Sequence, residues 1–342
     1  MSRVVVACAP FKGTLSAIEA CDAIGAVVAA AGHAVVKRPL PDGGEGTAAV
    51  LGAAWGATTT MFSVRGVLGH APDATVDIGV PIAVLDGRRT AIVESALCVG
   101  LTLVPPDQRR PLTASTASLG ALLRAVIDDG VDDLVVALGG TGTVDGGRGL
   151  LTELPALPPS LTLTALVDVQ APLRGPDGAR RFFAQKGVAA DDNDDVEAAL
   201  CALHPRFVDT PGAGAAGGLG AAMLALGGTL RSGADVVIEA TGVAAAIDGA
   251  DVVVGGEGAV DVTTTQGKGL WRLRALARAH HTPFIVMCGH CEAAPDDVAA
   301  AVIELGDAGL HNARAAITAA GPALLAAIER TCVDVDAVSQ KP

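Results

Sequence analysis

The feature that most constrains the fold of this chain is a repeated order of short apolar run, glycine-rich turn and helical segment. The first cycle has an apolar run over 3–7, a helical pattern over 16–31 and a second apolar run over 34–37. Later runs rich in Val, Leu and Ile cover 133–138, 163–169, 235–240, 251–254 and 283–288. Strands that are buried on both faces of a parallel sheet have continuous apolar sequences of this kind. The order therefore predicts an α/β protein with a doubly wound parallel sheet, whose ligands bind at the carboxyl ends of the strands.

One stretch, residues 58–99, departs from this order. Apolar runs at 64–69, 75–80 and 90–94 follow one another with no helical segment between them. Runs joined by short turns predict antiparallel hairpins, and a change of pattern of this kind indicates a second domain. The predicted domains are a discontinuous doubly wound α/β domain over 1–62 and 230–342, and a second α/β domain over 63–229.

The charge balance narrows the range of partners. The formal net charge is −13 and the sequence pI is about 4.9. Nucleic acids and anionic membranes are bound by basic surfaces, so neither is an expected partner. A small-molecule substrate is expected instead. Because so acidic a protein must concentrate its cations where it binds an anion, a lysine in a glycine-rich loop is especially informative.

Neither a membrane span nor a secretion signal is expected. Residues 212–230 are uncharged, but they are rich in Gly and Ala, which favour membrane insertion far less than Leu or Ile. The N-terminal residues continue directly into a strand pattern, without a charged and apolar leader. The odd number of scattered cysteines argues against a disulfide framework. Cys288 and Cys291 form a C-x-x-C pair, which is interpreted as reduced thiols at a strand end, and the alternatives are a redox-active pair or half of a metal site. We predict a cytoplasmic protein, and its hydrophobic content leaves room for a homodimer.

The first glycine-rich turn joins the first predicted strand to the first helix. It contains Lys12, Gly13 and Thr14. A helix N-terminus favours anions because its backbone N–H groups are free and its dipole is positive there. The turn is therefore a candidate site for a phosphate or carboxylate, and the alternative is an ordinary turn with a surface lysine.

The second turn carries two carboxylates, Asp42 and Glu45, around Gly43 and Gly44. Carboxylate oxygens are ligands that Mg²⁺ accepts, and glycines allow the backbone to approach a ligand closely. The turn is a candidate for holding Mg²⁺ or substrate hydroxyls. The alternative is a solvated turn that caps a helix.

The third segment, 139–147, directly follows a predicted strand. Its candidate ligand-binding residues are Gly140, Thr141, Gly142, Thr143 and Asp145. Successive backbone N–H groups in such a loop form a concave anion site. The segment is not a Walker A loop, because no Gly-Lys-Ser/Thr follows at the required spacing, and it does not match G-x-G-x-x-G.

Two further glycine-rich segments are less specific. The segment 211–220 leads into an apolar helix, where its small residues serve either ligand binding or close helix packing. The segment 255–261 contains Glu257 and Asp261, and Lys268 follows at the start of a predicted helix. Carboxylates after a strand with a lysine at a helix start indicate a metal and phosphate site.

Some polar residues have a simpler interpretation. Glu94 is interpreted as a satisfied carboxylate at a strand end, and Lys186 by itself as a surface cation. Ser95 lacks the G-x-S-x-G elbow of serine hydrolases, so this reaction class has little support.

Together these segments resemble the bacterial glycerate kinase family, which phosphorylates D-glycerate with ATP. The resemblance runs from residue 4 to about residue 289. It is carried by the segments 11–16 (FKGTLS), 41–47 (PDGGEGT), 175–179 (GPDGA), 185–187 (QKG), 211–220 (PGAGAAGGLG) and 256–258 (GEG), with Asp261 and Lys268.

The resemblance implies two α/β domains, one of them flavodoxin-like, with the site in the cleft between them. It implies transfer of the γ-phosphoryl group of ATP to a glycerate hydroxyl, with Mg²⁺ and cations neutralising the developing charge. By matching positions, Lys12 is assigned to a phosphate or the substrate carboxylate, and Asp42, Glu45 and Asp168 to metal or hydroxyl contacts. Lys186, Glu257, Asp261 and Lys268 are further candidates, with Asp261 grouped with the metal ligands.

The sequence departs from the family pattern at several site positions. Ala9 and Pro10 replace Asp-Ser, Val144 replaces the Asn before Asp145, and Gln170 and Ala171 replace Asp-Asn. Loss of one direct charge-stabilising contact typically lowers a rate by about 10²–10³. Two interpretations follow: an active glycerate kinase, or an impaired member that binds a nucleotide or small acid and serves a regulatory role.

Overall fold

The computed structural model describes residues 1–11, 13–260, 269–292 and 299–339, without the side chains of 333–339. The described strands are β1 (Arg3–Cys8), β2 (Ala34–Lys37), β3 (Thr58–Arg65), β4 (Thr75–Leu85), β5 (Arg88–Glu94), β6 (Asp133–Ala137), β7 (Thr162–Val167), β8 (Thr229–Ser232), β9 (Val252–Val260), β10 (Phe284–Cys291) and β11 (Ala301–Glu304). The described helices are α1 (Ala17–Ala30), α2 (Thr47–Ala54), α3 (Ala96–Val99), α4 (Ala117–Asp128), α5 (Arg148–Glu153), α6 (Phe183–Lys186), α7 (Asn193–Leu203), α8 (Ala215–Ala225), α9 (Gly233–Thr241), α10 (Val243–Ile247), α11 (Gly269–Ala279), α12 (Asp307–His311), α13 (Ala313–Ala319) and α14 (Gly321–Ser339).

The chain divides into two compact units. The discontinuous unit consists of Met1–Asp42 and Ala234–Pro342, and the continuous unit is Gly43–Gly233. The sequence also predicted a discontinuous domain, but it placed the first boundary after residue 62. The observed division falls earlier because α2 packs on β4 and β5: a Cβ added at Gly52 would lie 2.9 Å from the Pro81 side chain.

The discontinuous unit contains a five-stranded parallel sheet with the order β11-β10-β9-β1-β2. Counted along this unit, the order is 2-1-3-4-5, which is that of flavodoxin-like, doubly wound folds. The unit confirms the predicted doubly wound parallel sheet. Its core is aliphatic, with the valines of β1 and β9 packed against Ile24 of α1. Helix α1 starts at a capping box, in which Ser16 and Glu19 bond each other's backbone N–H groups.

The continuous unit contains a six-stranded mixed sheet with the order β3-β4-β5-β6-β7-β8. Strands β3, β4 and β5 pair antiparallel, and β5 to β8 pair parallel. The predicted hairpins between residues 58 and 99 are therefore confirmed, but their first strand covers Thr58–Arg65 and not the predicted 64–69. Since β5, β6 and β7 are parallel, their carboxyl ends meet at one edge of the sheet.

The strand predicted over 235–240 is wrong. These residues belong to α9 (Gly233–Thr241), where Ala234 and Val237 are buried and Glu239 is exposed. Short apolar runs cannot be assigned to helix or strand by periodicity alone, and the β-branched Val-Val-Ile misled the assignment. Within the described ranges, no helix is long and apolar enough to span a membrane.

Candidate active site

In the continuous unit, the candidate site lies at the edge where the parallel strands end. Strand β6 is followed by the glycine-rich loop that starts at Gly139, and β7 is followed directly by Asp168. Two glycine-rich loops are in backbone contact at this edge. The Gly139 N–H donates to the Gly43 carbonyl at 3.0 Å, and a Cβ added at Gly139 would lie 2.5 Å from the Gly44 Cα. The second and third sequence motifs are therefore parts of one surface, and Gly139 is needed for their close approach.

A buried lysine binds the third motif. The Lys186 side chain lies at the end of α6 and is only 3% exposed. Its Nζ donates to the Thr141 Oγ1 at 2.9 Å and also to the Thr141 carbonyl oxygen. Burial lowers the pKa of Lys186 to about 8, and the nearby Asp168 carboxylate opposes this shift. The side chain is therefore a cation at neutral pH and is not the surface lysine that its local sequence suggested.

The three residues Thr141, Asp168 and Lys186 come from separate sequence motifs. The structure brings them together, because Lys186 bonds Thr141 directly and interacts electrostatically with Asp168. A cation held beside a glycine-rich loop and a half-buried carboxylate is an arrangement that can bind an anion and accept a proton.

The same loop contains a buried hydroxyl group with no partner. The Thr143 side chain is fully buried, and no described residue hydrogen-bonds its Oγ1. The Gly142 N–H is already used, because it donates to the Val99 carbonyl at 2.7 Å. Gly140 has a φ of 78°, a backbone conformation that favours glycine. The unpartnered hydroxyl and the lysine fit a loop that binds a polar anionic ligand.

Asp145 has a different environment from the one its motif suggested. Its Oδ2 accepts from the Thr116 N–H at 2.9 Å, the Thr116 Oγ1 at 2.8 Å and the Gly149 N–H at 3.2 Å. Its Oδ1 accepts from the Gly147 N–H at 3.0 Å. Both oxygens are used within the continuous unit. This geometry favours a role in shaping the loop over the predicted ligand contact.

We expect Asp145→Ala to lower the free energy of unfolding by about 3 kcal/mol, because several donors lose a charged acceptor. Chemical denaturation of the purified variant measures this change. Asp209→Ala is the matched control: its ion pair with Arg174 is largely exposed, so its loss costs less than about 1 kcal/mol. Equal effects in the two variants would contradict the structural role of Asp145.

The fourth motif packs against the third. Ala216, Gly217 and Gly218 have left-handed backbone conformations within α8. The Gly146 N–H donates to the Gly217 carbonyl at 3.1 Å, and a Cβ at Gly217 would collide with the Thr143 carbonyl oxygen. The sequence left ligand binding and packing open for this motif. The observed contacts favour packing that supports the third loop.

Two further residues hold this loop: Thr116, which the sequence did not indicate, and His204, which its isolation in the sequence suggested to be structural. Thr116 bonds Asp145, and the His204 ring Nε2 lies 2.6 Å from the Gly146 carbonyl oxygen. His204 is buried, and its burial lowers its pKa. Both contacts join residues far apart in the chain, and neither residue lies in a recognisable motif. Only the folded arrangement identifies them.

In the discontinuous unit, the first and fifth motifs lie beside each other at the point where the strand order reverses. Cys8 of β1 pairs with Gly256 of β9, and the Ala9 N–H donates to the Gly256 carbonyl at 2.8 Å. The following residue, Glu257, is buried. Flavodoxin-like folds bind ligands at this switch point.

The other predicted residues are placed only in part. Gly13 has a φ of 83°, and the Thr14 Oγ1 donates to the Phe11 carbonyl at 2.9 Å. Asp42 is half-buried and Glu45 is exposed. Three further predicted residues lie outside the described residues: Lys12, Asp261 and Lys268.

Two of the predicted metal ligands, Asp42 and Glu45, are described carboxylates on the second glycine-rich turn. No group of three or more His, Cys, Asp or Glu side chains suited to a metal ion is found in the described part of the chain. Magnesium in phosphoryl-transfer sites is usually held by one or two carboxylates together with water and substrate phosphates. Asp42 and Glu45 fit this smaller requirement as carboxylates on a glycine-rich turn.

The fold and the loops are typical of α/β enzymes that bind anionic ligands at strand ends. The profile of the glycerate kinase family matches residues 4–158 and 155–332, which together span most of the chain. The chain therefore belongs to the glycerate kinase family, and the resemblance read from its motifs is confirmed.

Individual relatives agree with this assignment. The chain is 33% identical to the glycerate kinase of Bacillus subtilis (strain 168) over 329 residues, which covers 84% of this chain and 85% of that protein. It is 32% identical to the glycerate 2-kinase of Escherichia coli (strain K12), with the same coverage. The crystal structure of putative glycerate kinase 2 from Salmonella typhimurium LT2 superposes with a TM-score of 0.72 at 28% identity, covering 95% of this chain and 98% of that one.

Proposed function

We propose that this chain transfers the γ-phosphoryl group of ATP to a hydroxyl of glycerate or of a similarly small hydroxy acid. The observation that carries the proposal is the buried Lys186 bound to Thr141 beside Asp168. A desolvated cation next to a glycine-rich loop suits a phosphoryl group, whose transfer depends mainly on positioning and charge neutralisation. Glycerate kinases among the relatives define the substrate class.

The continuous unit supplies groups for both parts of the reaction. Lys186 would neutralise oxygen charge on the phosphoryl group. The loop 140–143 would orient it through the Thr143 hydroxyl and through backbone N–H groups other than that of Gly142, which donates to Val99. Asp168 is the proposed base that accepts the proton of the attacking hydroxyl. Asp42, which belongs to the discontinuous unit, is a second candidate for this base. These roles follow from residue chemistry and from the contacts of Lys186.

The discontinuous unit supplies a second set of candidate contacts. Lys12, Gly13 and Thr14 are proposed for a phosphate or the substrate carboxylate, and Glu257 and Lys268 for further ligand contacts. Asp42 and Asp261 of this unit are proposed Mg²⁺ ligands, and so is Glu45, which belongs to the continuous unit. Bound Mg²⁺ would neutralise charge on the phosphate oxygens.

The alternative of an impaired, binding-only member rests on the departures at Ala9, Pro10, Val144, Gln170 and Ala171. No described contact and no comparison favours it. The departures leave Asp168 and Lys186 unchanged in the sequence, and both are proposed to take part in the reaction. Membership of the glycerate kinase family implies a small-molecule substrate, whereas a cytoplasmic location and a homodimer stay predictions of the sequence.

The proposal is tested by ATP-to-ADP turnover of the purified protein with D-glycerate and Mg²⁺, against a control without acceptor. We expect turnover that depends on glycerate. Glycerate-independent or absent turnover would contradict the proposal. If ligands still raised the melting temperature in that case, the binding-only member would be favoured.

A further inference from the structure

Glu94 is a buried carboxylate that the proposed reaction does not use. It is the last residue of β5, at the same sheet edge as the loop that follows β6, and it is 6% exposed. Burying a charged side chain is costly unless hydrogen bonds compensate for the lost hydration. Its partners therefore show what the residue does.

The partners of Glu94 are backbone N–H groups at the start of α2. Its Oε1 accepts from the Ala48 N–H at 2.7 Å, across 46 residues of sequence. Burial raises the pKa of Glu94, and the Ala48 and Gly46 N–H groups oppose this shift by favouring the ionised carboxylate. The first N–H groups of a helix have no partner within the helix, and the helix dipole favours an anion at that end. Glu94 thus acts as a cap supplied by another element.

The helix has no cap of its own. Its N-cap residue is Gly46, which has a left-handed backbone conformation and no side chain that could accept a hydrogen bond. The glycine allows the sharp turn into the helix, and the cap must then come from elsewhere. Glu94 supplies it from the neighbouring strand.

The loop before α2 is fixed from two sides. The Gly139 N–H donates to the Gly43 carbonyl, and the Ala48 N–H donates to Glu94. Between these contacts lies Glu45, whose charge also acts on Glu94. The position of the Glu45 backbone is thus set by contacts on both of its flanks.

We infer that Glu94 is a positioning residue for the glycerate kinase reaction, holding the Gly43–Thr47 loop in its reactive position by capping α2. This inference rests on the proposed function for its kinetic consequence. Its structural consequence, a loop held by the Glu94 cap, does not depend on turnover.

Two substitutions separate geometry from charge. Glu94→Gln keeps the side-chain length and an oxygen that accepts the Ala48 N–H, but it removes the charge. Glu94→Asp keeps the charge and withdraws the carboxylate by one methylene from a hydrogen bond of 2.7 Å. We expect the Gln variant to keep kcat/KM within about fivefold, and the Asp variant to lose about 10–100-fold, as a misplaced site does. Glu329→Asp, on an exposed position of α14, is the control and should have no effect.

Amide exchange of Ala48 gives the second readout. Exchange should be at least about tenfold faster in Glu94→Asp than in the wild type, and similar to the wild type in Glu94→Gln, while all variants unfold cooperatively. A Gln variant that is inactive and an Asp variant that is active would overturn the inference, because charge would then matter more than position. Unchanged Ala48 exchange in the Asp variant would also overturn it. If the wild type had no turnover but Ala48 exchange followed the expected pattern, only the proposed function would be refuted.

Discussion

Lys186→Met is expected to lower kcat/KM by about 10²–10³ while the protein stays folded. The Nζ of Lys186 binds Thr141 and is the buried cation of the proposed phosphoryl site. Methionine fills a similar volume and needs no hydration, so the cost of burying a charge disappears. Removing the buried charge should raise the free energy of unfolding by about 3 kcal/mol at neutral pH. The two Thr141 oxygens lose their donor in this variant, which lowers the free energy of unfolding and offsets the gain. Steady-state kinetics and chemical denaturation measure the two effects separately.

The pH dependence gives a sharper test of the same residue. The pKa of Lys186 is lowered to about 8 from its ordinary value of 10.5. Between these values, the unfolded chain binds a proton that the folded chain has released, so the free energy of unfolding should rise with pH across this window. Lys186→Met should lose this rise, whereas Lys37→Met, at an exposed ion pair, should keep it.

Activity should respond in the opposite direction. If the protonated lysine binds the anion, kcat/KM of the wild type falls as the pH rises through about 8. Arginine stays charged throughout this range, so Lys186→Arg should lose this alkaline fall even if its activity is lower. An alkaline fall that persists unchanged in the Arg variant would assign it to another group.

Gly217→Ala is expected to have the largest effect on stability, lowering the free energy of unfolding by about 2–5 kcal/mol. Gly217 has a φ of 67°, and a Cβ there would collide with the Thr143 carbonyl oxygen. The methyl group would push the fourth motif away from the loop that carries Thr141 and Thr143, so activity should fall as well. Denaturation midpoints and kinetics of the same preparation measure both.

Gly227→Ala is the matched control for this variant. Gly227 has a φ of 84°, but nothing lies within 4 Å of an added Cβ. Gly227→Ala should lower the free energy of unfolding by about 1–2 kcal/mol, because only the left-handed backbone conformation opposes alanine there. It should not lower kcat/KM. If the two alanine variants were equally destabilised, the interlocking of the two glycine-rich segments would not be the reason that Gly217 is required.

The sequence predicts the architecture because the relevant signals are local. Continuous apolar runs separated by helices gave the parallel strands, and runs joined by short turns gave the hairpins between residues 58 and 99. The exception, 235–240, shows the limit of this reasoning. A short run of β-branched residues is typical of a strand, and the local sequence alone does not show that this run belongs to helix α9.

The glycine-rich loops of the candidate site could be predicted from the sequence, whereas the residues that hold these loops in place could not. Glycine-rich motifs identified the segments that carry Thr141 and Gly43, since turns and close backbone approach require glycine. The contacts that hold these loops join distant residues: Glu94 with Ala48, and His204 with Gly146. No local pattern marks such pairs. Lys186 shows the same limit, because its sequence neighbours suggest a surface cation while the fold buries it.

Recovery of labelled phosphate tests the central claim most directly. The purified protein is incubated with γ-labelled ATP, D-glycerate and Mg²⁺, and the distribution of label among ATP, glycerate and inorganic phosphate is measured for the wild type and for Lys186→Met. The structure predicts that the wild type transfers label to glycerate, and that Lys186→Met does so at a rate about 10²–10³-fold lower. Label that stays on ATP or passes only to water with the wild type, or full transfer by Lys186→Met, would contradict it.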